Sequence, residues 1–220
     1  FFRWRMKRAD TVTRGRLQKA LRERRTKEDQ EKLDKARVAV AGLGGRGSHV
    51  AAALARSGVG HLHLVDFDVV DITNLNRQQY TARHLGTCKT DALADALREI
   101  NPYLDIYTDR VKVTEDNLVS LFSGETIICE AFDCPQAKAM LANGILTHFP
   151  GKYLVAASGM AGFGSSNTVI TRKAGKNFYL CGDGISDPAS GAGLMAPRVM
   201  LCAAHQANMI VRLILGEEDP

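Results

Sequence analysis

The chain has 220 residues, 45% of them hydrophobic, with a formal net charge of +5. That length supports one sizeable core, and no apolar run approaches the roughly 18 residues that would suggest a membrane span. The five cysteines (Cys88, Cys129, Cys134, Cys181, Cys202) contain no C-x-x-C pair, which argues against a structural zinc site and a disulfide framework and for reduced thiols in a cytoplasmic protein.

The charge is uneven. Residues 1–37 hold fourteen Lys/Arg and six Asp/Glu, net +8, while the rest holds fifteen and eighteen, net −3. A basic helical arm over 1–36 followed by one domain over 37–220 is expected. FFRWR lacks the apolar core of a signal peptide, and Met6 is a possible natural start. Residues 14–35 read as a charged amphipathic helix or pair of helices, with Leu17, Leu21 and Leu33 as buried contacts.

Val38 to Ala41 is a short apolar run stopped by glycine, the pattern of a buried parallel strand. Gly42, Gly44 and Gly47 then match G-x-G-x-x-G, with Gly45 as an extra glycine. Such glycines permit a tight turn and a close approach of backbone to phosphate. Ser48 to Arg56 has helical spacing, so that helix start would face a bound anion. Leu62 to Val65 is the second strand, and Asp66 stands where a ribose-binding acid is expected. His61 and His63 alternate on it and read as the polar face of a half-covered strand.

The next loop, VDFDVVDITNLNRQQY, is rich in groups suited to a nucleotide. Asp66 and Asp68 share one face of an extended segment. Arg77 offers a planar fork for phosphate oxygens, and Asn74 and Gln78 offer neutral hydrogen bonds. Lys89 falls in the first turn of a helix that ends at Asn101-Pro102, a position the helix dipole disfavours unless an anion binds there. Leu104 to Val111 is a third strand, Thr114 to Phe122 a short capped helix, and Thr126 to Phe132 a buried strand ending in Asp133. Asp133 is a candidate Mg²⁺ ligand, because Mg²⁺ takes one or two carboxylates together with phosphate oxygens. Glu130, inside that strand, requires a partner that the sequence does not identify.

Pro135 to His148 is the next helix and Tyr153 to Ala157 the next strand. Thr168 to Arg172 and Phe178 to Cys181 then alternate as antiparallel strands do. GDGISDPASGAGLMAP reads as a mobile loop, and Pro197 to Leu215 closes the chain as a helix in which His205 and Gln206 are structural. The fold class expected is α/β: a Rossmann-like, mostly parallel sheet with flanking helices, an antiparallel extension in the C-terminal third, and a helical N-terminal arm.

With these residues in view, the chain resembles the ThiF/MoeB/HesA family, the bacterial relatives of ubiquitin-activating enzymes. The matching pieces are GLGGRG (42–47), LVDFDVVDITNLNRQQ (64–79), the lysine of GTCKT (86–90), INP (100–102) and EAFD (130–133). They run in order at family-like spacing from about 30 to 215, and the late segments look most like the short, zinc-free form. The resemblance implies ATP- and Mg²⁺-dependent adenylation of the C-terminal glycine of a small ubiquitin-fold, ThiS-like sulfur carrier ending in Gly-Gly. By that resemblance Gly42, Gly44, Gly45 and Gly47 would line the phosphates and Asp66 the ribose, with Asp68 nearby. Asn74, Arg77, Gln78 and Lys89 would contact the triphosphate, and Asp133 would bind Mg²⁺. It also implies a homodimer in which an N-terminal arginine, Arg24 in preference to Arg14, reaches the neighbouring subunit's ATP. No cysteine occupies 184–196, where some members carry a sulfur-handling thiol; Cys181 is the nearest candidate, and as a strand residue it also reads as packing.

Three other readings remain open from the sequence. A nicotinamide-dependent oxidoreductase would explain Gly42 to Asp66 but gives no task to Arg77, Lys89 and Asp133. An adenylating enzyme acting on tRNA would use the basic arm. A binding scaffold would retain only the fold.

Overall fold

The computed structural model describes residues 12–187, 189, 191 and 193–220. Seven strands form one sheet: β1 (Arg37–Ala41), β2 (His61–Val65), β3 (Asp105–Asp109), β4 (Ile127–Glu130), β5 (Tyr153–Ala157), β6 (Ile170–Gly175) and β7 (Phe178–Gly182). Their order is β3-β2-β1-β4-β5-β7-β6, with all pairs parallel except β6–β7. The expected architecture, antiparallel extension included, is therefore present. The helices are α1 (Arg14–Arg22), α2 (Lys27–Lys35), α3 (Gly45–Arg56), α4 (Lys89–Ile100), α5 (Glu115–Leu121), α6 (Pro135–His148) and α7 (Ala196–Leu215).

Strand alternation divides the core between the two faces. Val38 and Val40 of β1 pack with Val50 and Leu54 of α3, Leu93 and Leu97 of α4, and Ile210 of α7. Ala39 and Ala41 face the other way, toward Leu118 of α5 and Leu141 and Ile145 of α6. Small alanines on that face fit α5 and α6 against a strand buried on both sides. Among the described residues, no helix is long and apolar enough to cross a membrane.

The N-terminal segment forms two helices, with Leu33 of α2 fully in the main core but Leu17 and Leu21 of α1 only half-buried. Residues 1–11 of the basic arm lie outside the described residues. His63 departs from the expectation of a half-covered polar face: it is 3% exposed, with Nε2 3.0 Å from Asp109 Oδ2 and Nδ1 3.3 Å from Glu125 Oε1. Tyr107 and Phe122, the latter just after α5, lie tilted against the ring with centroids 4.9 and 6.1 Å away, while Asp109 hydrogen-bonds Nε2 and Glu125 stands by Nδ1, partners the sequence could not pair with it. His61 is the more open of the two and bonds Asp105 at 2.7 Å.

Candidate nucleotide site

From β1 the chain moves outward to β2 and β3, then returns across β1 to β4 and β5. The strand order thus reverses between β1 and β4, and in such sheets a crevice opens outside the carboxyl ends at that point. Gly42 leaves β1 with a φ of 91°, a left-handed conformation that glycine adopts without strain. A Cβ on Gly42 would meet the Ala131 carbonyl at 2.9 Å, and one on Gly47 would lie 1.8 Å from the Gly42 carbonyl oxygen. The glycine turn and the chain leaving β4 are therefore packed backbone to backbone. Gly45 is closed off by Val199, 2.8 Å from the position of its Cβ, whereas Gly44 meets only Gln78 Nε2 at 3.8 Å.

The helix begins within the glycines, at Gly45, three residues before the expected Ser48. Side-chain spacing does not register a turn built from glycine and arginine, so the sequence placed the start late. Gly44 is the N-cap and gives α3 no side-chain cap bond, which leaves the first N–H groups available to an anion.

Asp66 is 8% exposed; its Oδ2 accepts from Leu43 N at 2.6 Å and its Oδ1 from Asp68 N at 2.8 Å. It ties the end of β2 to the glycine turn, and a carboxylate with about four lone-pair positions still has room for a hydroxyl. Lys89 opens α4 and is 6% exposed, with its Nζ 2.7 Å from Asp68 Oδ2. Asp68 thus supplies, within the chain, the negative charge that makes a first-turn lysine tolerable. The Asn74 side-chain oxygen accepts from Asp71 N at 3.0 Å, and its carbonyl accepts from the Arg77 and Gln78 amides. This folds the loop back so that Arg77 Cγ lies 3.6 Å from the position of a Gly45 Cβ. Arg77 Nη1 donates to Thr73 O and Asn76 Oδ1 at 3.1 and 2.8 Å. Gln78 is 8% exposed, and its Oε1 has no hydrogen-bond partner among the described residues. A buried amide oxygen left unbonded costs about 1–3 kcal/mol, which suits a ligand donor beside Gly44.

Asp133 follows β4 at the same edge and is exposed. Gly42, Gly44, Gly45, Gly47, Asp66, Asp68, Asn74, Arg77, Gln78, Lys89 and Asp133 all belong to the turns and helix starts at this edge. Arg24 does not. It follows α1, which packs over Gly58, Gly60 and Asp105 at the opposite edge, and its neighbour Arg25 bonds the Ser57 carbonyl there. Within one chain, Arg24 and Arg14 are remote from the glycine turn.

Sequence reasoning left Glu130 without a partner and did not single out Arg46 or Lys138. Glu130, fully buried, binds Lys138 Nζ at 2.7 Å and lies 3.7 Å from Arg46 Nη2. The available signal was Arg46 itself, a long cation inside a run of glycines. Tyr80 was also missed; its hydroxyl donates to Leu43 O at 2.8 Å and braces the turn from outside. Cys181 is fully buried, as a packed strand cysteine should be, and burial pushes its thiol up to about 12. Cys181→Ala should therefore leave turnover within about twofold, as measured by steady-state rate, since a buried, protonated thiol is a poor nucleophile.

The glycine-rich loops after β5 and β7 are joined by Asp183 and Arg198. Asp183 Oδ1 accepts from Ile185 N and Ser186 N at 2.9 and 2.8 Å, and its Oδ2 binds Arg198 Nη2 at 2.5 Å. Arg198 Nη1 also donates to the Gly164 and Ser165 carbonyls at 2.9 Å each. Burial alone would raise the Asp183 pKa, but the Ser186 and Ile185 N–H groups, the Ser186 hydroxyl and Arg198 outweigh it and hold the carboxylate well below its usual range. A depressed pKa stabilises the fold fully above the ordinary Asp value of about 4, and that stability is lost as pH falls below it. Asp183→Asn should lower Tm at neutral pH and shrink the loss of Tm on acidification, as followed by thermal melts at stepped pH. Within the loop that joins β7 to α7, which reads from its composition as mobile, Pro188, Ser190 and Ala192 lie outside the described residues.

The profile of the ThiF family matches residues 17–220. The chain belongs to the ThiF family. It is 32% identical over 198 residues to the molybdopterin-synthase adenylyltransferase of Salmonella typhimurium, covering 88% of this chain and 78% of that one. It is 30% identical over 203 residues to an adenylyltransferase and sulfurtransferase of Culex quinquefasciatus, of which it spans 44%. In fold it matches the E. coli tRNA N6-threonylcarbamoyladenosine dehydratase TcdA, solved in complex with AMP, with a TM-score of 0.82 and 21% identity over 94% of this chain and 98% of that one. As a ThiF-family chain it is an adenylyltransferase, so the oxidoreductase and scaffold readings fall away.

Proposed function

We propose that this ThiF-family chain uses ATP to adenylate the C-terminal glycine carboxylate of a small ubiquitin-fold sulfur carrier, ThiS-like and ending in Gly-Gly, in thiamine thiazole synthesis. The observation that carries the reading is the convergence at one sheet edge. An uncapped helix start with an open Gly44, two cations from separate elements (Arg77 and Lys89) and the carboxylate of Asp133 belong to turns and helix starts at the sheet edge where the strand order reverses.

In the reaction the carrier's carboxylate oxygen attacks the α-phosphorus of ATP, a bond to that oxygen forms, and the bond to the pyrophosphate oxygen breaks. No proton need be removed from an ionised carboxylate, so holding the groups in line and neutralising charge are what the protein must supply. The first amides of α3 receive phosphate oxygens, and Arg77 turns its fork from Thr73 O and Asn76 Oδ1 to the triphosphate. Lys89 exchanges its contact with Asp68 for phosphate oxygens, and Asp66 accepts from the ribose. The exposed Asp133 suits Mg²⁺, which would neutralise phosphate charge and fix the leaving group. Arg24, remote from its own chain's site, is free to serve a neighbouring subunit in a homodimer.

ATP–pyrophosphate exchange tests this. It should require a Gly-Gly carrier and Mg²⁺; exchange with neither carrier nor Mg²⁺, or none with any carrier, would contradict it. The exposed cations of α1 (Arg14, Arg16, Lys19 and Arg22) favour tRNA as a second substrate class. On that reading tRNA would replace the carrier in the exchange, and binding would weaken steeply with salt.

A further inference from the structure

Two buried charged side chains, Glu130 and Arg46, and the partly buried Lys138 lie directly behind the turn that carries Asp133, and the proposed roles above use none of them. Glu130 Oε1 accepts from the Phe132 amide at 2.7 Å, and Glu130 Oε2 accepts from Lys138 Nζ, also at 2.7 Å. Lys138 Nζ lies 3.5 Å from the Phe132 carbonyl, to which Arg46 Nη2 also donates. The Phe132 amide and carbonyl, the two backbone polar groups immediately before Asp133, are thus held by one network. Gln206 Nε2 holds the Glu130 carbonyl at 2.9 Å from α7.

A purely structural role accounts poorly for this arrangement. Taking a carboxylate and a guanidinium out of water is costly, and apolar replacements are often as stable. Glu130 is 0% and Arg46 4% exposed, and Arg46 Nη1 has no hydrogen-bond partner among the described residues. Arg46 also belongs to the glycine turn, at the first turn of α3, while the carbonyl it grips belongs to the turn after β4. Its side chain therefore links the two halves of the site, whose backbones already touch at Gly42 and Ala131. Two cations against one carboxylate leave surplus positive charge beneath the place proposed for the phosphates.

We propose that Arg46, with Glu130 and Lys138, is a positioning clamp that fixes Asp133 relative to the glycine turn. The clamp rests on the nucleotide site proposed above and deepens it: the link sets where the Asp133 carboxylate stands when Mg·ATP is bound. None of the three touches substrate.

The test compares Arg46→Met, Arg46→Lys and wild type by two readouts. The first, hydrogen exchange of peptides covering residues 131–134, needs no ligand. The second is the Mg²⁺ concentration for half-maximal pyrophosphate exchange. Arg46→Met should exchange faster at 131–134 with β5 unchanged, and should need roughly 10-fold or more Mg²⁺, as expected when a metal-binding group is displaced by a fraction of an ångström. Arg46→Lys should recover much of both. A cooperatively folded Arg46→Met with wild-type protection and wild-type Mg²⁺ demand would overturn the clamp. If Arg46→Met does not fold, Lys138→Met, altered at a side chain 24% exposed, carries the same two readouts. If wild type shows no exchange with any acceptor, the proposed function fails while hydrogen exchange at 131–134 still decides the clamp.

Discussion

Gly47→Ala should destabilise the fold and abolish nucleotide binding together. The added Cβ would lie 1.8 Å from the Gly42 carbonyl oxygen and 2.9 Å from its carbon, both backbone atoms that cannot rotate aside. Relieving that overlap means pushing α3 away from the turn and from Ala131, whose Cβ is 3.2 Å away. Overpacking of this kind costs about 1–3 kcal/mol and sometimes more. The helix preference for alanine over glycine, about 1 kcal/mol, opposes it and is the smaller effect. Gly44→Ala provides the contrast. Its Cβ meets nothing closer than Gln78 Nε2 at 3.8 Å, so the melt should barely change while ATP binding weakens, because the methyl occupies space proposed for phosphate. Urea denaturation with nucleotide titration of both variants separates the outcomes. A Gly47→Ala protein as stable as wild type would contradict the packing described, and a Gly44→Ala protein with full affinity would remove phosphate from that face of the turn.

These two glycines also mark where the sequence was legible. The spacing of Gly42, Gly44, Gly45 and Gly47 after a four-residue apolar run could be read because the strand–turn–helix junction tolerates few other residues. The boundaries of α6 and β5 were equally readable, since Pro135 and the apolar run Tyr153 to Ala157 punctuate them. What could not be read was pairing across the chain. Glu130 and Lys138 are eight residues apart and Arg46 is 84 residues before Glu130, so no periodicity joins them. The burial of His63 likewise depends on Glu125, 62 positions away. The start of α3 was placed late because glycine and a buried arginine give no amphipathic signal. A lysine in the first turn of α4 is anomalous for the helix dipole, and its partner in the chain, Asp68 at 2.7 Å, lies 21 residues earlier on another element.

Arg77→Ala and Asp133→Ala should each reduce pyrophosphate exchange by roughly 10²–10³-fold, the usual cost of removing one preorganised group that stabilises developing charge. Neither should shift Tm by much. Asp133 is exposed, and the Arg77 bonds run to a local carbonyl and a neighbouring amide in an exposed loop. The two should separate in Mg²⁺ dependence: high Mg²⁺ partly rescues Asp133→Ala and leaves Arg77→Ala unimproved. Lys89→Met should differ from both, because it also leaves Asp68 without its ion-pair partner at the start of α4. Equal activity in Asp133→Ala and wild type at limiting Mg²⁺ would move the metal away from β4.

The most direct measurement is the mass of the acceptor itself. A ThiS-type carrier ending in Gly-Gly, incubated with this protein, ATP, Mg²⁺ and pyrophosphatase, should gain one adenylyl group at its C-terminus. The same carrier truncated by its last glycine should gain none. Adenylation of the full carrier that disappears with Asp133→Ala or Arg77→Ala would establish the reaction at the edge where β1 and β4 end. An unmodified carrier, with adenylate found on a tRNA instead, would contradict the central claim while leaving the nucleotide site in place.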